Sequence, residues 1–197
     1  MAFQYKPLRV DEIRLLRLRA GRKGSLCSFE MVHVSLRSHP TYAALSYTWG
    51  PPGDTHSILL NGTHFRIRQN LHDALEQITL AWKQHVGYGG YLWVDAICIN
   101  QDPVDTKALD ERAVQVGHMT SIYTQASKVL VWLGLPANDI DNKIAFRLMK
   151  RFEKRYRQIF DVPGSETYRG WLGIIALWQK PWWVRAWIYQ EATIPEK

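Results

Sequence analysis

This 197-residue chain predicts an α/β domain with a mostly parallel sheet flanked by helices, and three observations carry that expectation. The run from Leu92 to Ile99 is apolar and partly β-branched, the pattern of a strand buried on both faces of a parallel sheet. A helical pattern over 106–126 separates it from another expected buried strand, Lys128 to Leu133, closed by Gly134. Strand, helix and strand without a hairpin-length link imply a right-handed parallel crossover. Nearer the N-terminus, Asn61-Gly62 between Ile58–Leu60 and Phe65–Ile67 signals an antiparallel β-hairpin. A chain of this length makes one domain, or one domain with an insertion, around a sizeable core.

In chain order, residues 8–19 alternate Arg with Leu and Ile, which leaves strand and short helix both open. Gly21 to Ser25 is a loop, and Phe29 to Leu36 alternates as a strand does. Tyr42 to Tyr47 is a short buried strand, ended by the sharply shaped Gly/Pro loop Thr48-Trp49-Gly50-Pro51-Pro52-Gly53. After the hairpin, Asn70 is expected to cap a helix whose inner face carries Leu71, Leu75, Ile78 and Trp82. Gly87 to Gly90 ends that helix. The helix from Thr106 to Ala126 shows an apolar stripe of Leu109, Ala113, Val116, Met119 and Tyr123. Residues 139–160 predict a long basic helix, 161–170 a surface loop, and Trp171 to Trp178 a buried helical turn. Pro181 suits the first turn of a last helix, Trp182 to Ala192, in which Trp183, Trp187 and Glu191 share one face.

One carboxylate, Asp95, interrupts the central apolar run. Burying its charge costs several kcal/mol unless it is paired or hydrogen-bonded. The polar turn Asn100-Gln101-Asp102-Pro103 follows at the expected carboxyl end of the strand, where open α/β sheets bind ligands. A lone Asp more often caps a turn, but the polar cluster that follows at once makes a site as ready a reading as a structural role.

The net charge of +7 is uneven. Residues 6–23 hold seven Lys/Arg against two acids, and residues 143–157 hold seven against one. Such runs attract anions, but more often they are solvated helix faces. No nucleic-acid-binding signature accompanies them, so nucleic acid is not an expected partner. Two cysteines, Cys27 and Cys98, are too few for a disulfide framework or a zinc site, and the seven histidines lack metal-ligand spacing. No metal is expected. No apolar run of membrane-spanning length and no secretory h-region occur in the sequence, so a cytoplasmic protein is expected. Nine Trp and nine Tyr must go into a core, an interface or a ligand pocket.

Three blocks stand together: Tyr42-Ala-Ala-Leu-Ser-Tyr-Thr-Trp-Gly50; Leu92-Trp-Val-Asp-Ala-Ile-Cys-Ile-Asn-Gln101 with Glu111-Arg112 and Tyr123-Thr-Gln-Ala126; and Trp183-Val-Arg-Ala-Trp-Ile-Tyr-Gln-Glu191. In that order and spacing the chain resembles the heterokaryon incompatibility (HET) domain of filamentous fungi, over nearly its whole length. The resemblance implies a single domain over residues 1–197, with a helical insertion at about 135–180. It also implies the N-terminal part of a longer protein that triggers programmed cell death after non-self recognition. HET domains are distantly similar to Toll/interleukin-receptor (TIR) domains, flavodoxin-like sheets of which some cleave NAD. Trp187-Ile-Tyr-Gln-Glu191 matches the Trp-x-x-x-Glu pattern whose Glu is catalytic in TIR-type NAD hydrolases. On that comparison Leu45-Ser-Tyr47 is similar to the first TIR strand, and Asp95 to Gln101 to the second strand and the loop over the substrate. The chain departs from the TIR pattern by an insertion of about 45 residues between Gly134 and Pro181.

The resemblance therefore implies Glu191 as the key carboxylate, with NAD or a related nucleotide as substrate and no bound cofactor. Cleavage of the nicotinamide–ribose bond passes through an oxocarbenium-like state that a carboxylate stabilises. Glu191 could equally pair with Arg185 or Lys180 on a helix surface. Tyr47, Trp49 and Trp187 could stack on the bases or fill the core. Arg112 and Arg185 suit a pyrophosphate, or Arg112 pairs with Asp95 or Glu111 as a strut. Ser46 either bonds the substrate or ends its strand, and Asn100 and Gln101 offer donors and acceptors to a ligand or tie the loop. The rival expectation is a non-enzymatic module that kills by self-association and partner recruitment, through the aromatic surplus and the basic segments.

Overall fold

The computed structural model describes residues 3–20, 26–53, 55–87, 89–135, 143–149 and 166–185. They fall into two compact units, Met1–Trp132 and Leu133–Arg185. The first holds seven strands: β1 (Glu12–Ala20), β2 (Ser28–Ser35), β3 (Tyr42–Tyr47), β4 (Thr55–Leu60), β5 (Thr63–Arg68), β6 (Tyr91–Trp93) and β7 (Lys128–Trp132). Its helices are α1 (Gln69–Leu80), the single turns α2 (Trp82–His85) and α3 (Asp95–Cys98), and α4 (Thr106–Gln125). The strands form one sheet in the order β5-β4-β2-β1-β6-β3-β7. The α/β class is as expected, and the sheet is mixed. β3 pairs in parallel with β6 and β7, and β2 with β4, whereas β1–β2, β1–β6 and β4–β5 are antiparallel. Among the three mutually parallel strands, the first in the chain lies between the second and the third.

The undecided stretch 8–19 resolves as β1, which lies between β2 and β6. There Ile13, Arg14, Leu15 and Leu16 are all fully buried, as in a strand covered on both faces. The β4–β5 hairpin turns at Asn61 (φ +50°) and Gly62 (φ +78°), the left-handed pair that Asn-Gly supplies in a two-residue turn. β3 is buried along its whole length. The run Lys128–Trp132 is a strand, as expected, but it is the sheet's edge and not buried. Lys128 and Val131 face solvent, because only β3 pairs with it.

Three further expectations are corrected. The apolar run Leu92–Ile99 is not one strand: β6 ends at Trp93, and Asp95–Cys98 makes a helical turn in which the Cys98 N–H donates to Val94 O and the Ile99 N–H to Asp95 O. Ile97, Cys98 and Ile99 are buried all the same, and an apolar run reports burial without specifying the backbone. Asn70 does not cap α1. β5 runs directly into the helix, Arg68 is the N-cap without a side-chain bond, and the Asn70 amide is engaged elsewhere. The inner face of α1 does carry Leu71, Leu75 and Ile78, while Trp82 lies in α2, half-buried against the core. The inner face of α4 is Ala108, Gln115, Met119, Ile122 and Tyr123. Leu109, Ala113 and Val116 of the expected stripe are exposed, because Tyr42 and Leu45 fix the helix rotation. The Tyr42 hydroxyl donates to Ile122 O, and the Tyr123 hydroxyl to Leu45 O.

In the second unit, residues 143–149 (α5) and Glu166–Trp178 (α6) are helical, and Pro181–Val184 is a 3-10 turn with Pro181 in its first turn. Ala145, Leu148, Ile174 and Leu177 form its core. A Cβ at Gly170 would stand 2.9 Å from Leu148 Cδ2, so glycine permits this close approach. Trp171–Trp178 is not a buried turn but the later part of α6. Helical spacing places Leu172, Ile175 and Trp178 outward while Ile174 and Leu177 face the core. The other parts of the expected helix at 139–160, the loop at 161–165 and residues 186–192 of the last helix lie outside the described residues, and so do Trp187 and Glu191.

Candidate functional site

Parallel pairing sends the carboxyl ends of β3, β6 and β7 to the same side of the sheet, the side on which open α/β sheets bind ligands. Immediately after β3, Trp49 donates its indole N–H to Asp95 Oδ2 at 2.7 Å. Asp95 stands just beyond β6 at the start of α3, where its Oδ1 accepts the Ala96 N–H at 2.7 Å. An acid in a first helical turn satisfies an otherwise unpaired backbone donor. Gln101 Nε2 donates to Asp95 O at 3.3 Å. Sequence-selected Trp49, Asp95 and Gln101 are thus one connected group.

The loop bearing Trp49 is held from a second side. Asn70 Nδ2 donates to Thr48 O at 2.6 Å, and Asn70 Oδ1 accepts the Trp132 indole N–H at 2.9 Å. Arg68 donates to Gly50 O at 2.9 Å, and its guanidinium lies 5.3 Å from the Trp49 ring centre, a cation–π arrangement. One amide at the start of α1 therefore ties the loop after β3 to the last residue of β7. Ser46 and Tyr47, within β3, are buried, and their backbones pair with Val131 and Trp132.

Asn100 serves the loop: its Oδ1 accepts the Asp102 N–H at 3.1 Å, and its own N–H donates to Glu111 Oε1 at 3.3 Å. Asp102 in turn accepts the N–H groups of Val104 and Asp105, bonds that lower its pKa below the usual carboxylate range. Arg112 is the strut in neither expected form. It makes no ion pair with Asp95 or Glu111 among the described residues. Glu111 is taken instead by Arg14 of β1, through two bonds of 2.7 Å. Arg14 is fully buried, and it also donates to Cys98 O and Lys6 O at 3.0 and 2.8 Å. The Tyr5 ring covers the guanidinium at 4.7 Å, and its hydroxyl donates to Ile97 O at 2.9 Å. Burial raises the Tyr5 pKa and pushes the Cys98 thiol up to about 12.

Sequence pattern does not single out Arg14 or Tyr5, and it marks Asn70 only as a helix cap. Arg14 did leave a signal. An Arg inside a run that becomes a central strand needs an acid partner, and Glu111 follows the loop of the same core. Nothing in the local sequence marks Asn70 as a tie to Trp132. On α1, His72, Asp73 and Glu76 bring ligand-type atoms within 4.8 Å of one another, a grouping that histidine spacing did not reveal; Asp73 Oδ1 accepts Gln69 Nε2 at 2.6 Å. Arg185 belongs to the second unit, where its N–H donates to Trp182 O.

The sequence model of the family described as Heterokaryon incompatibility protein (HET) matches residues 42–191. A relative from Neurospora crassa, "Heterokaryon incompatibility protein 6, OR allele", is 36% identical over 144 residues, which cover 68% of this chain and 20% of that protein. The chain thus spans about a fifth of that relative's length. No solved structure matches. The matched span opens at β3 and takes in the Trp49–Asp95 group and α4, and on these grounds the chain belongs to the heterokaryon incompatibility (HET) family.

Proposed function

We propose that this domain is a TIR-like effector of fungal heterokaryon incompatibility that binds NAD at the carboxyl ends of its parallel strands and hydrolyses the nicotinamide–ribose bond. The Trp49–Asp95 pair carries the reading. It supports an aromatic face and a carboxylate held together at the edge where parallel sheets take nucleotides. In the reaction the C–N bond breaks with its electron pair going to nicotinamide, and water attacks the ribose carbon. Nicotinamide and ADP-ribose are the products. A carboxylate beside the ribose lowers the barrier by facing the developing positive charge, and Glu191 is assigned that role. Trp49 and Trp187 supply stacking surface, Arg112 meets the pyrophosphate, and Asn100 and Gln101 bond the amide or ribose. The family name of the matched relative supports the biological setting.

Incubation with NAD at high protein concentration, followed by chromatography, tests the reading: the chain releases nicotinamide, and Glu191→Gln, folded as before, does not. Unchanged release in that variant removes Glu191 from the mechanism. A second reading, self-association without catalysis, draws on the outward row Leu172, Ile175 and Trp178 of α6, exposed by 47, 51 and 64%. It expects no nicotinamide at any concentration, and concentration-dependent assembly that Trp178→Glu abolishes.

A further inference from the structure

We propose that α1 carries a binding site for a zinc-type divalent metal ion, formed by His72, Asp73 and Glu76 with His56 of β4 beside them. The three α1 residues each bring one ligand-type atom within 4.8 Å of the other two. Glu76 lies one helical turn beyond His72, on the same face, and Asp73 adjoins it. The Asp73 carboxylate is already oriented, because its Oδ1 accepts Gln69 Nε2 at 2.6 Å. Metal-binding carboxylates are held by outer hydrogen bonds of this kind.

The spacing of His72 and Asp73 is the second observation. His72 Nδ1 has no hydrogen-bond partner among the described residues, although Asp73 Oδ1 stands 3.8 Å away. That gap is too wide for a hydrogen bond. It is close to the span of two atoms bonded to one zinc ion, about 2.0–2.1 Å to nitrogen and 2.0–2.2 Å to oxygen. A water molecule needs about 2.8 Å to each neighbour, so the burial of Nδ1 excludes water from this gap without excluding an ion. Charge points the same way. Among the described residues neither Asp73 nor Glu76 is ion-paired to a Lys or Arg, and two carboxylates match a dication. The His56 ring centre lies 4.5 Å from that of His72, near the fourth position that a three-ligand zinc site leaves open. Imidazole nitrogen among the donors selects zinc-type ions over magnesium and calcium, which take oxygen alone. Because His56 belongs to β4 and the others to α1, the ion also pins strand to helix.

Zinc chloride and magnesium chloride, titrated separately into the chain, test this by calorimetry, histidine-ring NMR and thermal unfolding. Zinc binds one to one, shifts the His72 and His56 ring signals, and raises the unfolding midpoint as its concentration rises; magnesium at the same concentrations does none of these. His72→Ala and Glu76→Gln each weaken zinc at least about tenfold, a loss that even outer partners of a metal site can cause. His56→Ala weakens it by less. Zinc that leaves the His72 ring unmoved shows a simple His72–Asp73 ion pair and overturns the proposal. Affinity unchanged in Glu76→Gln, or an equal response to magnesium, overturns it as well. Glu76 is exposed, so Glu76→Gln keeps the test decisive should His72→Ala fail to fold.

Discussion

The loop after β6 is anchored twice, and the two anchors differ in kind. The inner one is the pair Arg14–Glu111, whose side chains are 0% and 16% exposed, joined by two charge-assisted bonds. The outer one is the indole–carboxylate bond from Trp49 to Asp95, between half-buried groups at the strand ends. The inner anchor holds two charges away from water, where removing one partner strands the other. The outer anchor lies at the surface, where water can replace a lost donor. The fold therefore depends on the inner anchor more than on the outer one.

Substitutions at each anchor and one labelling experiment break or sharpen that contrast. Glu111→Ala leaves the Arg14 guanidinium buried without its anion and should cost about 3–5 kcal/mol in urea unfolding. The double replacement Arg14→Met, Glu111→Leu should recover most of that loss, because an apolar pair of similar volume no longer strands a charge. A single-variant loss below about 1 kcal/mol would dissolve the contrast. Trp49→Phe keeps a ring against Arg68 but removes the indole N–H, and should cost about 1–2 kcal/mol. Its coupling to Asp95→Asn in a double-mutant cycle should be about 1 kcal/mol, smaller than the inner pair's. The smallest effect concerns Cys98, whose carbonyl receives Arg14. Burial raises its thiol pKa from 9.0 to about 12, so the folded state binds the thiol proton more tightly than the unfolded state. That stability is fully present below pH 9 and is lost as pH rises toward 12. Iodoacetamide at pH 9 should accordingly leave Cys98 unmodified until urea unfolds the chain, and rapid labelling of the folded protein would contradict the burial of the inner anchor.

Much of the first unit was legible from pattern. Asn61-Gly62 specified its hairpin, the alternation over 29–36 specified β2, and the helical period over 106–126 specified α4. The group at the strand ends was legible in part. Trp49, Asp95 and Gln101 stood in separate sequence blocks and meet in space, because β3 and β6 are parallel neighbours. The errors share a cause. Apolarity at Leu92–Ile99, at Leu109 and Val116, and at Lys128–Leu133 reports a tendency to leave water, yet whether a residue is covered depends on what packs over it.

What the chain determined by itself is what short-range physics decides: turn chemistry, helical period and the apolar runs that must leave water. What only the tertiary structure decided is which partner meets each buried polar group. Arg14 finds Glu111 across 97 residues, and Trp132 finds Asn70 across 62. Such pairings arise from strand order and helix rotation, set by the packing of the whole sheet, and no local pattern encodes them.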